Sequence, residues 1–319
     1  MATNSLTILE KALPTLPAGD YDALTREWLD WLANSKHRAA DTITSYEIGF
    51  RKFVAWCDAA GVQTVTDETI ELWMTDLLAK GHKPSSVNTW LSGVRSFFGW
   101  AVKKKRIADD PTQDVDGIKR SDTTKRHFRD LLTDAEVRAV LDLARTDDSP
   151  IGRRDYAMLA IKAYAGARDV ELQRADCADI QTRGGRLCLL YQGKGHVEKD
   201  LEKVLPPEAE SALTAWLATR GTWDGPLFVS LSDRSHYKRL EMRSIRGIVK
   251  GYYKRAGVVG KDKTSHSMRH SAATSAIRNG APIQSVADML GHKNIQTTMI
   301  YFHTLDRLTN PAEDKINYR

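Results

Sequence analysis

The chain has 319 residues, of which 41% are hydrophobic and 28% charged, with a formal net charge of +6 and a pI near 9.1. That length implies two domains of ordinary soluble globular composition, and the basic excess favours a polyanionic partner. The three cysteines, Cys57, Cys177 and Cys188, match no metal-ligand spacing, and no apolar run approaches the ~18 residues of a membrane span. A disulfide framework, a zinc site and a membrane partner are therefore not expected, and a reducing cytoplasm is, nucleoid-associated if the source is prokaryotic.

The opening residues 1–19 carry neither the basic nor the long apolar region of a signal peptide and read as a mobile leader. Residues 20–107 read as four helices. Leu24, Trp28, Trp31 and Leu32 share one helical face, as do Ile43, Tyr46, Phe50, Phe53, Val54 and Cys57. Ile70, Trp73 and Leu77 form the third apolar stripe, and Val87, Leu91, Val94, Phe97 and Phe98 the fourth. This predicts a small all-helical domain with an aromatic core. Its fourth helix ends in Lys103, Lys104, Lys105 and Arg106, which read either as a solvated basic cap or, with Arg51, Lys52 and Arg95 on neighbouring polar faces, as a phosphate-contacting edge.

Residues 108–130 turn polar and then basic and read as an interdomain linker that can close a clamp around a duplex. The second domain spans 131–305. It opens with a capping box at Thr133 and Glu136 and continues with a buried Ala-rich helix ended by Gly166. Extended runs follow at 177–182, 186–192 and 199–205, with turns at Gly184–Gly185 and at "GKGHVE". After a helix at 207–220, "PLFVS" reads as a short strand, and helices are expected at 241–256, 266–279, 283–290 and 294–308. The fold class is mainly α, an N-terminal four-helix domain followed by a mixed α+β domain with a small antiparallel sheet.

Four clusters carry possible chemistry. Arg168 follows the helix-ending glycine, Lys194 sits between two glycines at a hairpin tip, His266 and Arg269 lie three apart, and His292 and Tyr301 flank a short polar segment. Arginines can hold non-bridging phosphate oxygens with two hydrogen bonds each, and a hairpin lysine can protonate a leaving oxygen. Histidines can orient the phosphate or shuttle a proton, and a tyrosine can form a phosphotyrosyl ester. No carboxylate cluster for magnesium and no P-loop accompanies them, so neither a metal nor a cofactor is expected. Taken singly these residues are ambiguous. Lys199 and Lys203 compete with Lys194, while Tyr252, Tyr253 and Tyr318 compete with Tyr301. His270 reads as a helix residue facing the core or backbone, and His196 and His236 as exposed.

In this order, "GARDVEL", "YQGKGHVEK", "HSMRHSAAT" and "LGHKNIQTTMIYFH" resemble the signature boxes of the tyrosine recombinases, the family of phage integrases and of Xer-type and Cre-type site-specific recombinases. The resemblance runs from about 20 to 305 and implies a core-binding, SAM-like N-terminal domain. It also implies catalytic roles for Arg168, Lys194, His266, Arg269, His292 and Tyr301. Glu171 would orient an arginine, and His303 matches a family position without an evident role. Ala167 and Phe302 depart from the family pattern without removing a functional group. The implied reaction cleaves and rejoins DNA through a 3′-phosphotyrosine and a Holliday junction. The implied assembly is a homo-tetramer on two double-stranded sites with inverted-repeat cores, monomeric or weakly associated when free. Residues 306–319 would then be a protomer-exchange tail. A type IB topoisomerase-like activity and a non-catalytic DNA-binding regulator remain as alternatives.

Overall fold

A computed structural model describes residues 21–119, 131–193, 198–221, 224–233 and 236–301. The chain divides into two compact units, Met1–Ser121 and Asp122–Arg319.

The first unit contains α1 (Tyr21–Asn34), α2 (Ala40–Ala60), α3 (Asp67–Ala79) and α4 (Pro84–Lys103). The apolar stripes face inward as their spacing predicts: Trp28, Phe50, Phe53, Trp73, Phe97 and Phe98 are all buried. Phe50 and Phe97 stack at 3.9 Å, and Trp28 meets both rings edge-on. The axis of the bundle is the α2–α4 pair, where two glycines set the approach. A Cβ on Gly49 would lie 2.5 Å from the Trp90 carbonyl oxygen, and one on Gly93 would lie 2.3 Å from that of Tyr46. Only hydrogen fits at either position. The polar stretch after α4 belongs to this unit in its first half. Val115 and Thr112 are buried, and Asn88 exchanges hydrogen bonds with the backbone of Ile118 at 2.8 and 2.9 Å.

The second unit is built around α6 (Pro150–Ala165), a helix buried on nearly every side because it is largely alanine and aliphatic. It packs against α5 (Asp134–Arg145), α8 (Pro207–Arg220) and α10 (Ser267–Arg278). Thr133 and Glu136 form the expected capping box at the start of α5. The sheet is antiparallel in the order β1 (Ile180–Arg183), β2 (Arg186–Tyr191), β3 (Leu201–Val204), with Ile180 opposite Leu189 and Tyr191 opposite Leu201. The remaining helices are the short α7 (Asp169–Arg174), then α9 (Met242–Arg255) and α11 (Ile283–Leu290). Residues 296–301 are helical, and the rest of the helix expected to 308 lies outside the described residues.

Two sequence expectations change. The run expected from 177 begins as a 3-10 turn, Cys177–Asp179, and becomes a strand only at Ile180. "PLFVS" makes isolated bridges, Asp176 to Pro226 and Val229 to Arg239, and no continuous ladder. Its partners lie on two separate segments, and Pro226 has no N–H to offer.

Candidate active site

The site begins where α6 stops. Gly166 takes a left-handed conformation (φ 61°), which lets the chain reverse sharply into Arg168. Arg168 does not cap the helix behind it. It is the N-cap of α7, and its side chain folds back on Glu171. The Arg168 backbone N–H donates to Glu171 Oε2 at 2.9 Å, and Nη1 donates to Oε1 at 2.7 Å. Glu171 is buried, and its carboxyl is held below the usual range by Lys203, Arg269 and Arg168 against the opposing effect of burial.

Arg269 lies beneath this loop, 1% exposed, on the first turns of α10. Nη1 donates to the Gly166 carbonyl at 2.6 Å, Nη2 donates to the Leu290 carbonyl, and Nη2 meets His292 Nε2 at 3.3 Å. One guanidinium therefore ties the Arg168 loop, the end of α11 and the His292 turn together. Because arginine only donates, His292 Nε2 must accept, which leaves Nδ1–H to donate to Thr298 Oγ1 at 2.9 Å. That is a neutral imidazole. Desolvation and the charges of Arg269 and Arg168 lower the His292 pKa to about 4. His266, just before α10, is lowered to about 4 by desolvation and by Arg269 and Lys162, although the residue as a whole is exposed.

Three residues that sequence reasoning passed over hold the Arg168 and His266 segments in register. Lys162, fully buried on α6, donates to Asp169 Oδ1 at 2.5 Å and to the Ala167 carbonyl at 3.3 Å. Ser265 Oγ donates to the same Asp169 oxygen at 2.6 Å. The available signal was a lysine in the alanine-rich, aliphatic second half of a buried helix, seven residues before an aspartate.

Lys194 and His303 lie outside the described residues. The two rival lysines are in view and differ. Lys199 is held by Asp176 and Asp179 at 2.8 and 2.5 Å. Lys203, 1% exposed on β3, donates to the Met289 carbonyl at 2.8 Å, pairs with Glu171 Oε2 at 3.3 Å and sits 4.3 Å from the Tyr191 ring centroid. Burial lowers its pKa to about 8. Lys203 thus anchors β3 against α7 and α11.

Tyr301 is 5% exposed, packed with Ala273, Val286 and Leu290, and its hydroxyl is hydrogen-bonded to His270 Nδ1. The expectation that His270 faces the core or backbone is therefore corrected. Residue 270 lies one turn of α10 beyond 266, on the face that meets Tyr301. Burial raises the Tyr301 pKa to about 12, while Arg269 and Arg168 work against that rise. Among the described residues of this cluster, Arg168, Arg269, Lys162 and Lys203 pair with Glu171 and Asp169, the latter shared with Arg246, so positive charge is in excess where an anion can bind. Among the described residues, no group of three or more His, Cys, Asp or Glu side chains is placed to hold a metal ion.

The basic residues of the first unit are less uniform than their sequence suggests. Arg51 pairs with Glu47 and Asp22, Arg106 with Glu27, and Arg95 donates to the Val115 carbonyl. Lys52 and Lys103 lie over the Trp90 and Trp31 rings, and Lys104 and Lys105 are exposed. No described helix is long and apolar enough to cross a membrane.

Residues 130–307 match the phage integrase family, and residues 25–105 match the phage integrase N-terminal SAM-like domain. The chain belongs to the phage integrase family. That membership makes it a tyrosine-type site-specific recombinase, an enzyme of DNA recombination. The tyrosine recombinase XerD of Listeria innocua serovar 6a is 31% identical over 293 residues, which cover 88% of this chain and 93% of that protein. The tyrosine recombinase XerC of Herpetosiphon aurantiacus is 29% identical over 286 residues, 87% of this chain and 89% of that protein. The fold is shared with the XerH site-specific recombinase bound to palindromic difH substrate, at a TM-score of 0.71 and 18% identity over 91% of this chain and 84% of that one. It is shared also with a lambda integrase (75–356) dimer bound to a COC′ core site, at a TM-score of 0.65 and 16% identity over 87% and 96% of the two chains.

Proposed function

We propose that this chain cuts one DNA strand with Tyr301, holds the 3′ end as a phosphotyrosine, and passes it to the 5′-hydroxyl of a partner strand. The observation that carries this reading is the position of Arg269. It is buried, bonded to the Arg168 loop and to His292, and one residue from the histidine that holds Tyr301. Arg168 and Arg269 would grip the non-bridging oxygens of the scissile phosphate, where two fixed cations stabilise developing charge better than water does. His266, neutral beforehand, would hydrogen-bond the same phosphate, and His292 would join it only by exchanging one of its present partners. Lys194 would protonate the departing 5′-oxygen. Glu171, Asp169, Lys162 and Lys203 would fix the arginines without touching DNA.

The substrate in this reading is double-stranded DNA with inverted-repeat core sites, met in the cytoplasm. The first unit binds one face of it, with Lys52, Lys103, Lys104 and Lys105 on the backbone. Arg51, Arg95 and Arg106 would join only by exchanging their present partners for phosphate. Two rounds of exchange on two sites require four protomers and pass through a Holliday junction. Residues 306–319 would link those protomers, so deleting them should weaken tetramer assembly more than binding to one site. Equal loss of both would remove that role.

The test is strand exchange between two duplexes of different length. Each carries the inverted repeats found in DNA flanking the gene. Recombinant joints formed in EDTA by wild type and not by Tyr301→Phe are expected. Relaxation of supercoils on DNA lacking any repeat, without recombinant joints, would point to a topoisomerase instead.

A further inference from the structure

Cleavage by a tyrosine requires that its proton leave. The Tyr301 phenol is held in the protonated form by burial, so attack on phosphorus at neutral pH needs a base in contact with the hydroxyl. The two arginines and His292 cannot serve. Arg168 and Arg269 only donate, and both ring nitrogens of His292 are engaged, one by Arg269 and one by Thr298. Among the described residues, His270 Nδ1 is bonded to the phenol. Its ring centroid lies 5.3 Å from that of Tyr301 and 4.8 Å from that of His266, which stands edge-on to it. His270 directly follows Arg269 on α10, so the same turn of helix that would bind the phosphate also holds the nucleophile.

We propose that His270 is the general base of strand cleavage, accepting the Tyr301 proton at Nδ1. The proposal rests on the reading of Tyr301 as nucleophile. In the forward step the Tyr301 O–H bond breaks and its proton passes to Nδ1. The phenolic oxygen bonds to phosphorus, and the P–O5′ bond breaks, its electrons staying on the 5′-oxygen, which takes a proton from the acid. In rejoining, a 5′-hydroxyl attacks phosphorus and gives up its proton to that acid group. The departing phenolate recovers its own proton from His270. His266, which the family resemblance marks as catalytic, is then left to bind phosphate.

The experiment is single-turnover cleavage of a nicked DNA fragment that carries the flanking repeats and loses a short 5′-hydroxyl piece. Wild type, His270→Ala and His270→Asn are compared, each also with 3,5-difluorotyrosine at position 301. The fluorinated phenol is more acidic and needs less help from a base. Both His270 variants should bind the fragment as wild type does and cleave about 10²- to 10⁴-fold more slowly, the usual contribution of general acid–base catalysis. Fluorination should return at least tenfold of that loss and should not rescue His266→Ala. Asparagine keeps the shape and a hydrogen bond near Nδ1 but is no base, so an equally slow, equally rescued asparagine variant separates proton transfer from packing. Unchanged cleavage by His270→Ala, or a loss that fluorination leaves untouched, would overturn the assignment while wild type still forms its adduct. No adduct from wild type on DNA that it binds would remove the nucleophile reading and this one with it.

Discussion

Replacing Glu171 by glutamine removes one charge from a buried cluster and keeps its shape. The cost can be worked from Lys203. Its pKa is lowered from 10.5 to about 8, so the fold already bears about 3.5 kcal/mol for this lysine at about 1.4 kcal/mol per unit. Without its counter-charge Lys203 can at worst release its proton, and at pH 7 that limit is about 5 kcal/mol. The extra loss through Lys203 is therefore bounded near 1.5 kcal/mol. The weakened pair with Arg168, which is partly exposed, adds roughly 1 kcal/mol. Glu171→Gln should thus destabilise the second unit by about 2–3 kcal/mol at pH 7. The pH dependence has a definite sign. A base with a depressed folded pKa leaves the unfolded state holding more protons between about 8 and 10.5, so wild-type stability rises through that window. Above pH 8 wild type and variant both give up the proton, and the deficit should fall to about 1 kcal/mol by pH 9.5. Urea unfolding read by pulse proteolysis, with cleavage sites mapped to residues 131–301, measures this separately from the first unit. A deficit under about 0.5 kcal/mol at pH 7, or one unchanged at pH 9.5, would refute the argument.

Asp169→Asn strands the buried Lys162 and should cost about 3–5 kcal/mol in the same assay, and adding Lys162→Met should restore much of it. A double variant no more stable than Asp169→Asn would contradict the pairing. In α4, Gly93→Ala should destabilise the first unit by about 1–3 kcal/mol because its Cβ would strike the Tyr46 backbone. Gly99→Ala, with nothing nearer than 3.7 Å, should stabilise it by about 0.5–1 kcal/mol. Similar effects at both glycines would show that the α2–α4 spacing is misjudged. In the free protein His266 and His292 should titrate near 4 by NMR, and stability should fall as pH drops from 6.5 towards that value, where the unfolded chain takes up protons first. Titration of both near 6.5 would contradict the desolvated site.

Local pattern and capping made the helices legible in the sequence. Leu24 to Leu32, Phe50 to Cys57 and the Thr133–Glu136 box are each decided within a few residues. The Gly166 reversal was legible for the same reason, and with it the loop that holds Arg168. The partners of the candidate site were not, because they meet across long separations. Lys162 with Asp169 and Ser265, and Lys203 with Glu171 and Met289, form only once four helices and a hairpin have packed. His270 was read as facing the core or backbone because its partner is 31 residues away and "MRH" alone gives no direction to its ring. The same blindness affected the basic residues of the first unit. Nothing local to Arg95 or Arg106 announces Val115 or Glu27.

The central claim is that Tyr301 becomes covalently joined to a DNA 3′ end in a reaction needing no metal. The most direct test incubates the full chain in EDTA with nicked fragments of the DNA flanking its gene, traps the adduct in detergent, and sequences the nucleotide-bearing peptide by mass spectrometry. The account predicts one modified peptide, with the 3′-phosphate on Tyr301, and none from Tyr301→Phe. A nucleotide on any other residue, or no adduct on fragments bound tightly by wild type, would contradict it.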